Sequence, residues 1–203
     1  MPSALRIKEL RDLNDNVMMS DGALTSGVTF PAGHVVQVKY TSDKTRRLFS
    51  GRTSNTWYSD YTYLNTTITP IYSDSLLFVQ CNIMYYGSTD TNTSTGSIFL
   101  RMMMNGSICP ELNGDTNQSH PCFSQSRSVV GDVSDLQYHT QIGACSGLVP
   151  ASGLTTKTFS VEYRLQSGGR ISINRDPSTA TDYNQGSHSP TGISTLTIME
   201  IKQ

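Results

Sequence analysis

The side chains of this 203-residue chain best suited to metal or nucleophilic chemistry are its four cysteines and four histidines. His120 and Cys122, with Cys109, His139 and Cys145 nearby in sequence, contain the elements of a zinc site. However, no pair has the short Cys-x-x-Cys or His-x-x-x-His spacing that presents two ligands together. Loop histidines and packed thiols are the expected reading, and Cys81 falls inside a strongly apolar stretch. The scattered cysteines predict four free thiols in a reducing compartment. Asp132 and Asp135, or the polar run 88–95, offer oxygen ligands to calcium, yet neither follows the twelve-residue loop closed by a glutamate. Serines are abundant, but there is no Gly-x-Ser-x-Gly elbow, phosphate-cradling glycine loop or His-Glu zinc helix to organise one. The expectation is a protein that is not an enzyme and holds no cofactor or metal.

Aromatic residues offer a different chemistry. Trp57, Tyr58, Tyr61 and Tyr63 cluster within seven positions, and each joins an apolar ring to a polar tip. Such a group can stack on a sugar or anchor a protein interface. On alternating strands the same residues serve as core and edge packing, and both readings stand at this point.

The elements that position these residues follow from composition and period. Ser and Thr make up about a quarter of the chain, and charged residues 15%, well below the roughly 25% of an average domain. That is the profile of strands joined by polar turns. With 15 basic and 16 acidic residues no net field exists to hold a nucleic-acid backbone, so nucleic acid is excluded as a partner. The apolar run 75–86 is broken by Gln80 and Asn82 and is too short to span a bilayer. The opening MPSALRIKEL lacks the apolar stretch of a signal peptide. Synthesis in the cytoplasm without membrane insertion is expected.

Residues 1–33 read as an attachment segment and linker. Leu5, Ile7, Leu10, Leu13 and Val17 fit the spacing of a short helix or coiled turn that docks on a partner or on copies of itself. Ser20-Asp21-Gly22 breaks that pattern, and a linker over 26–33 follows. From His34 to Gln203 the period is two, which predicts one antiparallel β-sandwich, jelly-roll-like and all-β. Strands are expected over 34–40, 61–69, 75–86, 96–104, 137–145, 155–165, 170–174 and 192–201. The stretches 75–86 and 96–104 are expected side by side as inner strands. Asn105-Gly106 predicts a tight type I′ turn, and Ser167-Gly168-Gly169 a second hairpin.

Three segments carry a resemblance. VVQVKYTSD (35–43) after Phe30-Pro31-Ala32-Gly33, TTITPIYSDSLLFVQCNI (66–83), and FSVEYRLQSGGRISINRD (159–176) with the terminal STLTIMEIKQ (194–203) together resemble β-rich virion proteins of tailed bacteriophages. The leading RIKELRDLNDNVMMSDGALTSGV is similar to the short attachment segments that precede such domains. The resemblance implies a trimeric jelly-roll-like head at the virion surface, a compact knob or decoration bound to capsid or tail proteins through Leu5, Ile7, Leu10, Leu13 and Val17. The alternative it implies is a tail-fibre module whose loops, or Trp57, Tyr58, Tyr61 and Tyr63, recognise a host cell-surface glycan.

Overall fold

A computed structural model of the chain describes residues 9–11, 17–20, 23–24, 31–88, 97–114, 121–127, 141–166, 169–174 and 192–203. Among the described residues there is no α-helix. Three short antiparallel strands come first, β1 (Glu9–Arg11), β2 (Val17–Ser20) and β3 (Ala23–Leu24), with Leu10 opposite Met19 and Met19 opposite Leu24. A short helix or coiled turn is expected between Leu5 and Val17; at the described residues 9–11 and 17 the backbone is strand instead. Val17 pairs with Arg11 and Met19 with Leu10 and Leu24 across a bulge at Met18, and an apolar pattern of this length does not by itself separate helix from strand.

The remaining strands form two layers, each four strands wide, because several strands lie end to end. In chain order the first position holds β4 (Val35–Asp43) and β5 (Arg47–Arg52). The second holds β6 (Trp57–Tyr58) and β7 (Thr66–Ile68), separated by a single 3-10 turn over Thr62–Leu64. The third is β8 (Leu76–Ser88), the fourth β9 (Ser97–Met104), and the fifth β10 (Ser107–Ile108) with β11 (Ser124–Arg127). The sixth is β12 (Gln141–Pro150), the seventh β13 (Lys157–Leu165), and the eighth β14 (Gly169–Ile173) with β15 (Ser194–Ile201). One sheet then runs 1-8-3-6 and the other 2-7-4-5, antiparallel at each pairing. That is the strand order of a jelly roll, so the chain is an all-β sandwich as the period-two reading implies.

Two sequence expectations need correction within this frame. The stretches 75–86 and 96–104 are both core strands, but they lie in opposite layers and face each other: β8 pairs with β12, β15 and β14, whereas β9 pairs with β13, β10 and β11. Likewise, β13 and β14 belong to different sheets, so they are not the two arms of the hairpin expected at Ser167-Gly168-Gly169. Periodicity identifies a buried face without saying which layer supplies it. Asn105-Gly106 does form the expected type I′ turn, with φ of 52° and 77°, joining β9 to β10. The strand expected over 137–145 runs instead from Gln141 to Pro150.

Alternation fills the space between the layers. Leu77, Val79, Cys81, Ile83 and Tyr85 of β8 meet Leu196 and Ile198 of β15, and across the core Leu100 and Met102 of β9 with Phe159, Val161 and Tyr163 of β13. Each is essentially removed from water, which contributes about 1.5–3 kcal/mol per large side chain. The sheets curl towards one another at their edges. Thr66 Oγ1 donates to Thr41 Oγ1 at 2.8 Å and Gln37 Nε2 to the Thr69 carbonyl at 2.7 Å. At the other edge, a Cβ at Gly143 would lie 2.7 Å from Leu100 Cδ1 and 3.1 Å from Ser124 Cβ, so any larger residue there has to push those side chains aside.

One charged residue sits on the inner face of β15. Glu200 is fully buried, and its carboxylate accepts the Ile71 and Tyr72 backbone N–H groups at 2.8 and 2.9 Å, Ser75 Oγ at 2.7 Å and Gln37 Nε2 at 2.5 Å. It thereby anchors the crossover from β7 to β8. Burial works to raise its pKa, but the bonds from Gln37, Tyr72, Ile71 and Ser75 outweigh that and hold the carboxyl below its ordinary range. A depressed folded-state pKa means that the stabilisation is present above the unfolded value, about 4.3, and is lost as pH falls through the folded one. Glu200→Gln should lower unfolding free energy by about 3 kcal/mol, because an amide can accept at one oxygen only and turns donors towards donors. Urea unfolding measured from pH 7 to pH 3 checks this. The difference between wild type and variant should be largest at pH 7 and shrink on acidification below about pH 4.3.

Candidate functional site

Strand alternation separates the aromatic residues nominated from sequence. In the pairing of β6 with β13, Tyr58 lies opposite Tyr163 and Trp57 opposite Arg164. Tyr58 and Tyr163 stack with centroids 5.6 Å apart and planes at 23°, Tyr163 being part of the core. Tyr61 is 1% exposed; its ring packs edge-on to Phe49 at 6.2 Å and its hydroxyl donates to Asp43 Oδ2 at 3.3 Å. Burial, reinforced by the Asp43 charge, pushes the Tyr61 phenol well above its ordinary pKa. Tyr63 remains 47% exposed. Thus the four residues do not form one surface: Tyr61 is core, Trp57 lies on the opposite face of β6 from Tyr58, and Tyr63 stands on the 3-10 turn.

Guanidinium groups cover the aromatic faces. Arg47 Cζ sits 2.9 Å from the Tyr63 centroid while its Nε donates to Asp43 Oδ2 at 2.8 Å. Arg52 lies over Tyr58 at 4.6 Å and pairs with Asp60. On the outer face, Arg101 lies 4.0 Å over Trp57 and donates through Nε and Nη2 to Glu162 Oε2 at 2.8 and 2.5 Å. Arg164 reaches the ring of Phe99 at 5.3 Å and gives Nη2 to Asn55 Oδ1 at 2.5 Å. The ring faces that a sugar would stack on are thus shared with cations of the same chain. Sequence reading missed Arg101, Glu162 and Arg164. Their signal was present as charges on alternate positions of two adjacent strands, legible once β9 and β13 are known to pair.

The second feature is the outer face of the sheet built on β8. Residues directly opposed across strands share a face, so the register writes out its rows. Leu148, Phe78, Met199 and Val38 form one continuous row from β12 through β8 and β15 to β4, and Pro150, Leu76, Ile201 and Val35 form the next. Val38 is 53% and Leu148 48% exposed. Beyond them the rows are mixed: Ser146, Gln80 and Thr197 end in exposed Tyr40, Ala144, Asn82, Thr195 and Ser42 follow, and Ile142 with Met84 comes next. The apolar end is also where the chain enters the sandwich: Gly33 N–H donates to the Lys202 carbonyl at 2.7 Å and Lys202 N–H to the His34 carbonyl at 3.0 Å.

Of the five residues assigned to particle attachment, Leu10 lies in β1 and Val17 in β2, while Leu5, Ile7 and Leu13 lie outside the described residues. His120 and His139 of the conceivable zinc set also lie outside them, as do Asp132 and Asp135. Cys81, Cys109, Cys122 and Cys145 are free thiols. Burial, with the nearby Glu111 carboxylate, pushes the Cys109 thiol up to about 12. Among the described residues no group of three or more His, Cys, Asp or Glu side chains could hold a metal ion, and no helix is long and apolar enough to cross a membrane. No protein-family model matches this chain, and no curated protein matches its sequence.

The arginine ladder yields a stability prediction. Arg101→Ala strips the cation from Trp57 and leaves Glu162, whose side chain is mostly covered, without its ion partner; about 1–3 kcal/mol of destabilisation is expected. In a double-mutant cycle with Trp57→Leu, measured by chemical unfolding, the coupling between the two sites should be about 0.5–1 kcal/mol.

Proposed function

We propose that this chain is a non-enzymatic structural module of a tailed-bacteriophage particle: a compact knob or decoration that assembles as a homotrimer at the virion surface and is held to capsid or tail proteins through residues 1–33. The observation that carries this reading is the pair of apolar rows crossing all four strand positions of a solvent-facing sheet. Scattered apolar residues on a surface need no explanation, whereas contiguous rows mark a face that another protein covers. Their place supports the same reading, because they lie at the end where the attachment segment joins the sandwich, so attachment and self-association would share one pole of the molecule.

The resemblance of residues 34–203 to phage virion proteins agrees with this. Within the chain, the carboxylate of the closing Thr197-Ile198-Met199-Glu200-Ile201 binds the backbone of the 66–83 segment, so two of the three segments that carry the resemblance meet in one structural joint. Jelly rolls also serve viral capsids and lectins, so the fold alone selects no function.

The full-length protein should show a mass of three chains by native mass spectrometry or sedimentation at micromolar concentration. The Val38→Glu/Leu148→Glu double variant should dissociate to monomer with an unchanged far-ultraviolet spectrum. A wild-type protein that remains monomeric throughout would sink the assembly reading. Purified particles of the encoding phage that lack the protein would sink the virion assignment.

A further inference from the structure

β8 and β12 place two thiols directly opposite each other. In the unbroken ten-residue register between these strands, Cys81 is the partner of Cys145. Cys81 faces the core with no exposed surface, and Cys145, partly exposed, packs against the same cluster. Directly opposed residues of an antiparallel pair have Cα atoms about 4.5–5.5 Å apart, inside the roughly 4.4–6.8 Å that a disulfide spans. The register therefore brings the two backbones within the separation that a disulfide bridges.

We propose that Cys81 and Cys145 are a latent cross-strand disulfide, closed by exchange with a low-molecular-weight disulfide such as oxidised glutathione. Cys145 is the entry point because it is the thiol of the pair that solvent reaches. Its thiolate attacks one glutathione sulfur, breaking the glutathione S–S bond, forming a mixed disulfide and releasing one glutathione thiolate. Cys81 then attacks Cys145 Sγ, the mixed disulfide breaks, and the second glutathione thiolate leaves. The two protons lost by the protein thiols are taken up by the two departing thiolates. The protein is oxidised by two electrons and one glutathione disulfide is reduced to two thiols.

The second step is the slow one. In the reduced pair the hydrogen bond with Cys145, together with burial, holds the Cys81 thiol far above its ordinary pKa; once Cys145 carries glutathione that bond is gone, and burial is what slows the attack of Cys81. The product ties the edge strand β12 to the central strand β8 and closes the intervening chain, which includes β9, β10 and β11 of the facing sheet, into one covalent loop. This inference rests on register and burial and is independent of the virion reading.

The test treats the folded full-length protein with oxidised glutathione, alkylates the remaining thiols, and maps peptides without reduction. A peptide pair linked through Cys81 and Cys145 is expected, with the protein lighter by two hydrogens and the melting midpoint raised by about 5–10 °C relative to the reduced form. Cys122→Ser should reproduce both changes. Cys145→Ser, which alters the more exposed thiol and spares the buried one, should fold and show neither. A Cys109–Cys122 link in place of the expected one would overturn the proposal. So would Cys81 and Cys145 both remaining alkylatable, or Cys145 stopping at the glutathione adduct.

Discussion

A single strand sets the terms for the rest of the molecule. β8 must satisfy the hydrogen bonds of both its edges while burying every second side chain, and it does so with β12 along one edge and β15 followed by β14 along the other. Once the odd-numbered residues from Leu77 to Tyr85 point inwards, the face of each neighbour is decided, because a one-residue slip would turn Leu196, Ile198 and Val149 to water. The opposite layer is constrained in turn by what Leu77, Val79 and Ile83 leave for β9 and β13 to fill. The same constraint creates the outer rows: the even positions of β8, Leu76 and Phe78, cannot point anywhere else.

Buried polar groups secure the places where strands change direction. Glu200 holds the crossover into β8. At the other end of the sheet Asp43 accepts from Arg47, Thr45 N–H and Tyr61 where β4 bends into β5. Burial tends to raise the Asp43 carboxyl, but the bonds from Arg47 and Thr45 hold it below its ordinary range. Asn174, in left-handed conformation at φ 57°, gives Nδ2 to the Asp43 carbonyl at 2.8 Å and accepts Ser194 Oγ at 2.7 Å. Each of these is a capped corner rather than a reactive centre, since its lone pairs are taken by backbone and neighbouring side chains.

Much of this was readable from the residues, within identifiable limits. Period two located β8, β9, β13, β14 and β15 to within a few positions, and Asn105-Gly106 announced its turn, because these signals are local. Layer assignment was not readable: β8 and β9 carry the same alternation whether they pair or face one another, and the link at Ser167-Gly168-Gly169 looks the same whether it reverses within a sheet or turns between two. Burial of Glu200 was hidden for the same reason, as its four donors lie some 125 or more positions earlier in the chain. Among the aromatic residues, only the tertiary arrangement shows that arginines occupy the rings, Arg47 and Arg52 of β5 over Tyr63 and Tyr58 and Arg101 of β9 over Trp57.

The eighth strand position carries a further consequence. β14 ends at Ile173 and β15 begins at Ser194, yet the two continue a single line beside β4, β5 and β8, with Asn174 and Ser194 joined side chain to side chain across the break. The chain leaves that line and returns to it at almost the same point. Its two exit points are clamped together before the intervening residues are counted, and closure entropy grows only slowly with length. The sandwich is therefore largely indifferent to what is spliced between them, so that the stretch can diverge in length and composition while the scaffold beneath it stays the same.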